Sequence, residues 1–291
     1  MKPFKNIVSE TYTEIVKCKY CDKATDVVRY GKSKGKQYYF CNLCGRKFLN
    51  NQAMPGMRVP IEAIGAAIGM FYEGMSLSAI SRQLWYMYRV QPSRSTLHGW
   101  VMKYSKKADR LISDLKPKVG KTWIVDETVV KIGGQNTWFW DVIDDKTRFI
   151  IASHLSTSRG AKDAEAVMKR AQDKAEKPPR FIISDKLAAY LEGIERVFGA
   201  DTWHLRSQGF TGEINTNLIE RFHGTLKDRT KVMRGLKSRE TAKVILSGYL
   251  MHYNFFRPHQ TLKGKTPAEV AGIKFPHISW AGIIKSEKEA G

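Results

Sequence analysis

Cysteine is almost missing from this sequence. Cys18, Cys21, Cys41 and Cys44 are its four cysteines, and the remaining residues of the 291 have none. A disulfide framework spread over the chain is therefore excluded, and a clustered set in a reducing compartment points to metal. Long apolar runs are also missing. No stretch approaches the ~20 apolar residues of a membrane span, and Met1 to Glu10 lacks the apolar core of a signal peptide. The expected location is the cytoplasm, at the nucleoid, with no membrane partner. Acids are scarce beside bases: 28 Asp+Glu against 49 Lys+Arg leave a net charge of +21. Excess positive charge on a folded chain points to a polyanion, most often nucleic acid. No RNP-type aromatic motif accompanies it, which disfavours a zinc-ribbon RNA-binding protein.

The cysteines form two Cys-x-x-Cys pairs, Cys18–Cys21 and Cys41–Cys44, with 19 residues between them. Each pair sits on a tight turn and aims two thiolates at one ion, so the spacing predicts a tetrahedral four-cysteine Zn²⁺ site. Four thiolates leave no open position, which makes the metal structural. Asp26 to Gly31 and Gln37 to Phe40 read as short strands around a Gly/Lys/Ser turn, giving a zinc ribbon over residues 1–56. Lys32, Lys34, Lys36, Arg46 and Lys47 make it basic, suited to DNA or to an acidic protein surface. Asn50 to Gly56 reads as a linker.

Residues 57–116 read as three helices. Pro60 suits a first turn, Ile61, Ile64, Ile68 and Phe71 keep helical spacing, and Gly74 closes that helix. Ser76 caps a second helix with Leu77, Ile80 and Leu84 as its apolar stripe. After Gln91-Pro92-Ser93, a third helix carries Leu97, Trp100, Val101 and Tyr104 inward, with Gly99, Met102 and Lys106 facing away. The second and third resemble a helix-turn-helix, whose reading helix would present Arg94 and Ser95 to DNA. The same pattern also suits a packing module without DNA contact. Lys116 to Gly120 marks a boundary, and 117–291 forms the last domain.

There, Trp123 to Val130 is an apolar strand interrupted by Asp126, which is costly in a strand interior unless compensated. Glu127 points to the opposite face. Thr137 to Ile143 and Arg148 to Ser153 complete a meander, with Trp138, Phe139 and Trp140 expected in the core. A helix over 161–175 leads to a fourth strand ending at Asp185, and Lys186 to Val197 reads as helix. Asn215 to Lys231 is one amphipathic helix. Leu218, Ile219, Phe222 and Leu226 form its apolar stripe, while Asn217, Glu220, Gly224 and Lys227 share an exposed face. A glycine there costs about 1 kcal/mol against alanine, which makes sense where another backbone must come close. The bland reading is a solvated charge face. Glu127 and Asp141 read as supporting or surface groups, and His204 and His223 as hydrogen-bonded structural histidines. Arg257 and His259 suit either a phosphate contact or a turn cap.

Asp126, Asp185 and Glu220 thus occupy a strand, a strand end and a helix, with 58 and 34 residues between them. Three strands, a helix and a strand in this order begin an RNase H-like fold. The chain resembles prokaryotic insertion-sequence DDE transposases of the retroviral integrase superfamily. The resemblance rests on the Asp126–Asp185–Glu220 spacing, Lys227 seven residues on, the Asn217-Leu-Ile-Glu220-Arg-Phe-His223 run and the Tyr253 to Glu269 run. It covers roughly residues 60 to 272, and the triad shows no departure.

It implies an α/β fold with an RNase H-like core and Mg²⁺ or Mn²⁺ held by Asp126, Asp185 and Glu220. It further implies Lys227 on DNA, and a homo-oligomer on double-stranded transposon ends and target. The expected reaction is end cleavage followed by joining of the 3′-OH to target DNA. The rivals are another RNase H-superfamily nuclease, which cuts without joining, and a DNA-binding regulator with an inactive core.

Overall fold

In this computed structural model the described residues are 15–286, less 34, 52, 54–56, 210, 211, 213 and 234. The segment around Met1 to Glu10, Lys34 of the ribbon's turn and most of the linker end at 52–56 lie outside them. The chain divides into two compact units, Met1–Ile61 and Glu62–Gly291.

The first unit has three strands where the sequence suggested two. β1 (Val27–Ser33), β2 (Lys36–Cys41) and β3 (Arg46–Leu49) form an antiparallel sheet in that order. Among the described residues its core cluster is Cys18, Cys41 and Phe48, with Val27, Tyr20 and Tyr39 packed around them. So little apolar burial does not support a fold of this size without a cross-link or a metal.

The second unit opens with α1 (Ile61–Tyr72), α2 (Leu77–Tyr88) and α3 (Arg94–Ile112). Ser76 caps α2 as its sequence position predicts, accepting from the Ala79 N–H at 3.2 Å. Ser93 caps α3 in the same way, from Thr96 at 3.1 Å. Arg89, with φ 55°, ends α2. Leu97, Val101 and Tyr104 are buried along α3, and Arg94 and Ser95 are exposed at its start.

The sheet follows. β4 (Thr122–Ile132) and β5 (Gln135–Asp144) are joined by Gly133 and Gly134. Both glycines have positive φ, 59° and 83°, as a two-residue hairpin turn of this kind requires. β6 (Ile150–Ser156) completes the meander, and α4 (Ala161–Lys174) crosses to β7 (Phe181–Ser184). α5 (Ala188–Phe198) leads to a further strand, β8 (Trp203–Arg206), which the sequence did not signal. The order is β6-β5-β4-β7-β8, antiparallel through the first three and parallel from β4 to β7 to β8. This is an α/β, RNase H-like core.

α6 (Asn217–Val232) packs over β4, on the face away from α4 and α5. α7 (Arg239–Phe255), also unassigned from sequence, packs on α3. There a Cβ on Gly248 would stand 2.0 Å from the Tyr72 hydroxyl, which itself bonds Ser105 at 2.6 Å. The three N-terminal helices and the sheet are therefore parts of one compact unit, and residues 113–121 run inside it. Short helices α8 (Pro267–Val270) and α9 (Trp280–Lys285) close it. Among the described residues no helix is long and apolar enough to cross a membrane.

Candidate active site and metal centres

The sheet register brings two of the sequence-marked acids together. β7 pairs with β4 up to Ile124–Ile183, and Asp126 and Asp185 each stand two residues further on. Beyond that last pair, the next backbone partner on that side of β4 among the described residues is Leu236, opposite Ile132. Carboxylate oxygens of Asp126, Glu127 and Asp185 all lie within 4.8 Å of one another. Oxygens at this separation need little closure to share a divalent cation with metal–oxygen distances of about 2.1 Å. An all-carboxylate donor set suits Mg²⁺ or Mn²⁺, so these residues fit the implied metal.

Glu220 is outside that cluster. It lies in the first turn of α6, and its Oε1 accepts the Thr216 hydroxyl at 2.7 Å. One turn later on the same helix, His223 is buried with its Nδ1 3.5 Å from Asp126 Oδ2 and its Nε2 3.1 Å from Asp141 Oδ2. Three residues of helix rise about 4.5 Å. The helix thus carries Glu220 one turn from a residue that already touches Asp126. Lys227 and Gly224 are exposed, two turns and one turn beyond Glu220. No atom within 4 Å would meet a Cβ on Gly224. The close backbone that would explain this glycine is not within the described chain.

His204 and His223 are both hydrogen-bonded, His204 to Ser184 Oγ at 2.7 Å. Burial alone would make His223 neutral, but Asp126 and Asp141 outweigh it and hold its pKa up at about 9. Burial likewise pushes the Asp141 carboxyl up to about 6, although His223 opposes this. Asp141 is fully buried, not a surface group, and its Oδ1 has no partner among the described residues.

Glu127 is buried too, on the opposite face as strand alternation demands. Its Oε1 accepts from Arg159 Nε at 2.7 Å, and the Tyr190 hydroxyl of α5 donates to its Oε2. Burial raises the Glu127 pKa despite these two partners. Arg159 lies in the loop before α4, its guanidinium 4.7 Å from the centre of the Trp138 ring and 4.0 Å from Asp185 Oδ2. Phe139 and Trp140 are core as expected, whereas Trp138 is partly exposed beneath Arg159. Sequence reasoning missed Arg159 and Tyr190. A lone arginine in a Ser/Thr loop and a tyrosine on a helix's buried face carry no motif.

In the first unit, Cys18 and Cys44 Sγ are 3.6 Å apart and Cys21 and Cys41 Sγ 3.7 Å, with all four sulfurs within 4.8 Å. A tetrahedron of Zn–S bonds of about 2.3 Å has edges of about 3.8 Å. The four thiols are free and fit zinc.

A family model described as a DDE domain matches residues 120–259. Residues 120–259 are thus matched as a DDE domain of the insertion-sequence transposase type. Asp126, Asp185 and Glu220 all lie within the DDE match, as do Glu127, Asp141, Arg159 and His223. Solved structures similar to it include the HTLV-2 integrase catalytic core domain in complex with magnesium. That pair is 17% identical and covers 54% of this chain and 98% of that one, at a TM-score of 0.42. The BIV integrase catalytic core domain is 17% identical over 52% and 93%, with a TM-score of 0.40. A simian T-cell lymphotropic virus intasome in complex with PP2A regulatory subunit B56 gamma is 12% identical over 70% and 73%, with a TM-score of 0.43. Among curated proteins, none matches the chain.

Proposed function

We propose that this protein is a DNA transposase. It binds the terminal repeats of an insertion sequence, cleaves the ends and joins the freed 3′-OH to target DNA. The observation that carries this reading is the meeting of Asp126 and Asp185 just past the last β4–β7 pair of a DDE domain, with the helix bearing Glu220 packed on β4. The net charge of +21 supports a DNA substrate. Asp126, Asp185 and Glu220 would hold the catalytic divalent ions. When bound, these activate the attacking and leaving oxygens of a phosphodiester.

The chain's own residues supply the geometry. His223, on α6, orients the Asp126 carboxylate. Glu127 and Trp138 fix Arg159 beside Asp185, where its outer N–H groups can hold a phosphate oxygen. Lys227 engages the cleaved end, and the open space around Gly224 leaves room for a strand along the same face. Water attacks first and the 3′-OH second, so no covalent protein–DNA intermediate is needed. α2 and α3 serve as the helix-turn-helix, with Arg94 and Ser95 at the DNA, and the zinc ribbon is a second DNA-binding element. Residues 1–56, 57–116 and 117–291 are the corresponding functional segments, and the working form on DNA is a homo-oligomer at the nucleoid.

The test is strand joining by the full chain. A pre-cleaved duplex with a free 3′-OH is mixed with supercoiled target and Mn²⁺. Wild type should join the two, and D185N should not. Cutting of branched DNA with no joining would transfer the chain to the resolvase-type nucleases, and D185N joining at the wild-type rate would remove Asp185 from the site.

A further inference from the structure

A cavity of about 620 Å³ lies between the paired helices and the carboxyl end of α6. Its wall carries four basic or imidazole side chains, Arg94, His98, Arg229 and Lys237, and among the described residues no acidic side chain lines it. Three helices begin there. Ser76 and the first turn of α2 line it, Arg94 and His98 belong to the first two turns of α3, and Lys237 and Thr241 flank the start of α7. Each start adds the positive end of a helix dipole.

Arg229 is the unusual member. It is 3% exposed, and none of its three guanidinium nitrogens has a hydrogen-bond partner among the described residues. Its guanidinium carbon sits 3.7 Å from the centre of the Phe71 ring, which offsets part of the lost hydration but supplies no acceptor. Burial lowers its pKa only to about 10, so the group is cationic at neutral pH. A buried, charged, unpaired arginine calls for an anion.

We propose that this cavity is a phosphate site that seats one backbone phosphodiester of a DNA strand. The choice of DNA rests on the transposase reading above. The site would tie the DNA-binding helices to the far end of the same helix that bears Glu220, so that end recognition and catalysis share one rigid element. Phe71 and Ile245 add an apolar wall beside the arginine.

The experiment uses the full chain with R229M and K237A. Methionine fills much of the arginine's volume without a buried charge, so R229M is expected to fold, and thermal melts check it. Lys237 is exposed, so K237A folds regardless. Inorganic phosphate is titrated by calorimetry at constant ionic strength, and duplex binding is followed from low to high salt. R229M should lose at least about tenfold in phosphate affinity and K237A severalfold. R229M should also lower the slope of log affinity against log salt by about one. Unchanged phosphate affinity in both variants overturns the site. Weaker phosphate binding with an unchanged duplex slope overturns DNA as the occupant and favours a small phosphate compound. Strand joining by the same wild-type preparation tests the transposase reading separately. Joining by wild type with no effect of either variant overturns the pocket alone. Absent joining with variant-sensitive phosphate binding overturns the transposase reading and supports the phosphate site.

Discussion

His223 bridges Asp126 and Asp141, 3.5 Å from the first and 3.1 Å from the second, so the acid of β4 is held from α6 by a buried imidazolium. This arrangement has a pH signature in metal-free protein. The folded pKa of His223, about 9, lies above its ordinary value near 6.5. The proton's contribution to stability is therefore complete below pH ~6.5 and is lost as pH rises through 9. The loss is on the order of 3 kcal/mol for a shift of this size. Denaturant melts with a chelator present should show wild-type stability falling from pH 7 to 9.5, with H223N flat over that window. D141N should move the alkaline loss to lower pH, since it removes one of the two charges holding the proton. An alkaline limb identical in wild type and H223N would assign it to another group.

Much of this site was legible in the sequence because each part broke a local rule. Asp126 interrupts an apolar strand, Asp185 stands where β7 ends, and the cysteines are paired at metal spacing. Ser76 was legible as a cap because an apolar helical stripe follows it. What was not legible depends on distant partners. Arg159 gains meaning only from Glu127, Trp138 and Asp185, none of them near it in sequence. Tyr190 looks like any core aromatic until the fold sets its hydroxyl on Glu127. β8 is a four-residue edge strand, largely exposed, and carries too little periodicity to signal itself. Arg229, on the buried stripe of α6, reads as a surface charge at the end of a helix, and only the packing of Phe71 shows that it is enclosed.

Arg159 should matter twice, and the two effects can be separated. R159A leaves the Glu127 carboxylate buried with Tyr190 as its remaining donor. It should lower stability by about 1–3 kcal/mol, less than for a fully buried pair because Arg159 is 39% exposed. Adding E127Q should restore most of that stability by removing the stranded charge. Joining should stay down by about ten- to a hundredfold in both proteins, because the guanidinium beside Asp185 is gone. Recovery of joining in the double variant would make Arg159 purely structural. Denaturant melts and the joining assay on the same preparations decide it.

Chelating zinc should unfold the first unit and leave the second folded. The core of the first is two metal-site cysteines and Phe48, whereas the second has its own extended core. Hydrogen exchange should show amides of residues 18–49 losing protection while those of β4, β5 and α7 keep theirs. Purified reduced protein that contains no zinc, or a ribbon that stays protected without it, would contradict this.

Glu220 is held away from the other acids. Its carboxylate accepts the Thr216 hydroxyl at 2.7 Å, while Asp126 and Asp185 face each other without it. In the proposed reaction the glutamate side chain rotates toward Asp126 and Asp185, and the hydrogen bond to Thr216 opposes that rotation. A bond of this kind is worth about 0.5–1.5 kcal/mol. T216V removes the hydroxyl and keeps the shape, so it should lower the Mn²⁺ concentration needed for half-maximal joining by up to about tenfold. E220Q keeps the size of the side chain and removes the charge proposed to bind the ion. It should reduce cleavage and joining by at least about a hundredfold and leave duplex affinity within about twofold, since binding rests on the helices and the basic surface. Lys227→Ala should differ from both, weakening engagement of the cleaved end while the metal requirement stays as in wild type. If E220Q joins ends at close to the wild-type rate, Glu220 is not the third acid. If T216V leaves the Mn²⁺ requirement unchanged while E220Q is inactive, the glutamate is the third acid but Thr216 does not hold it back.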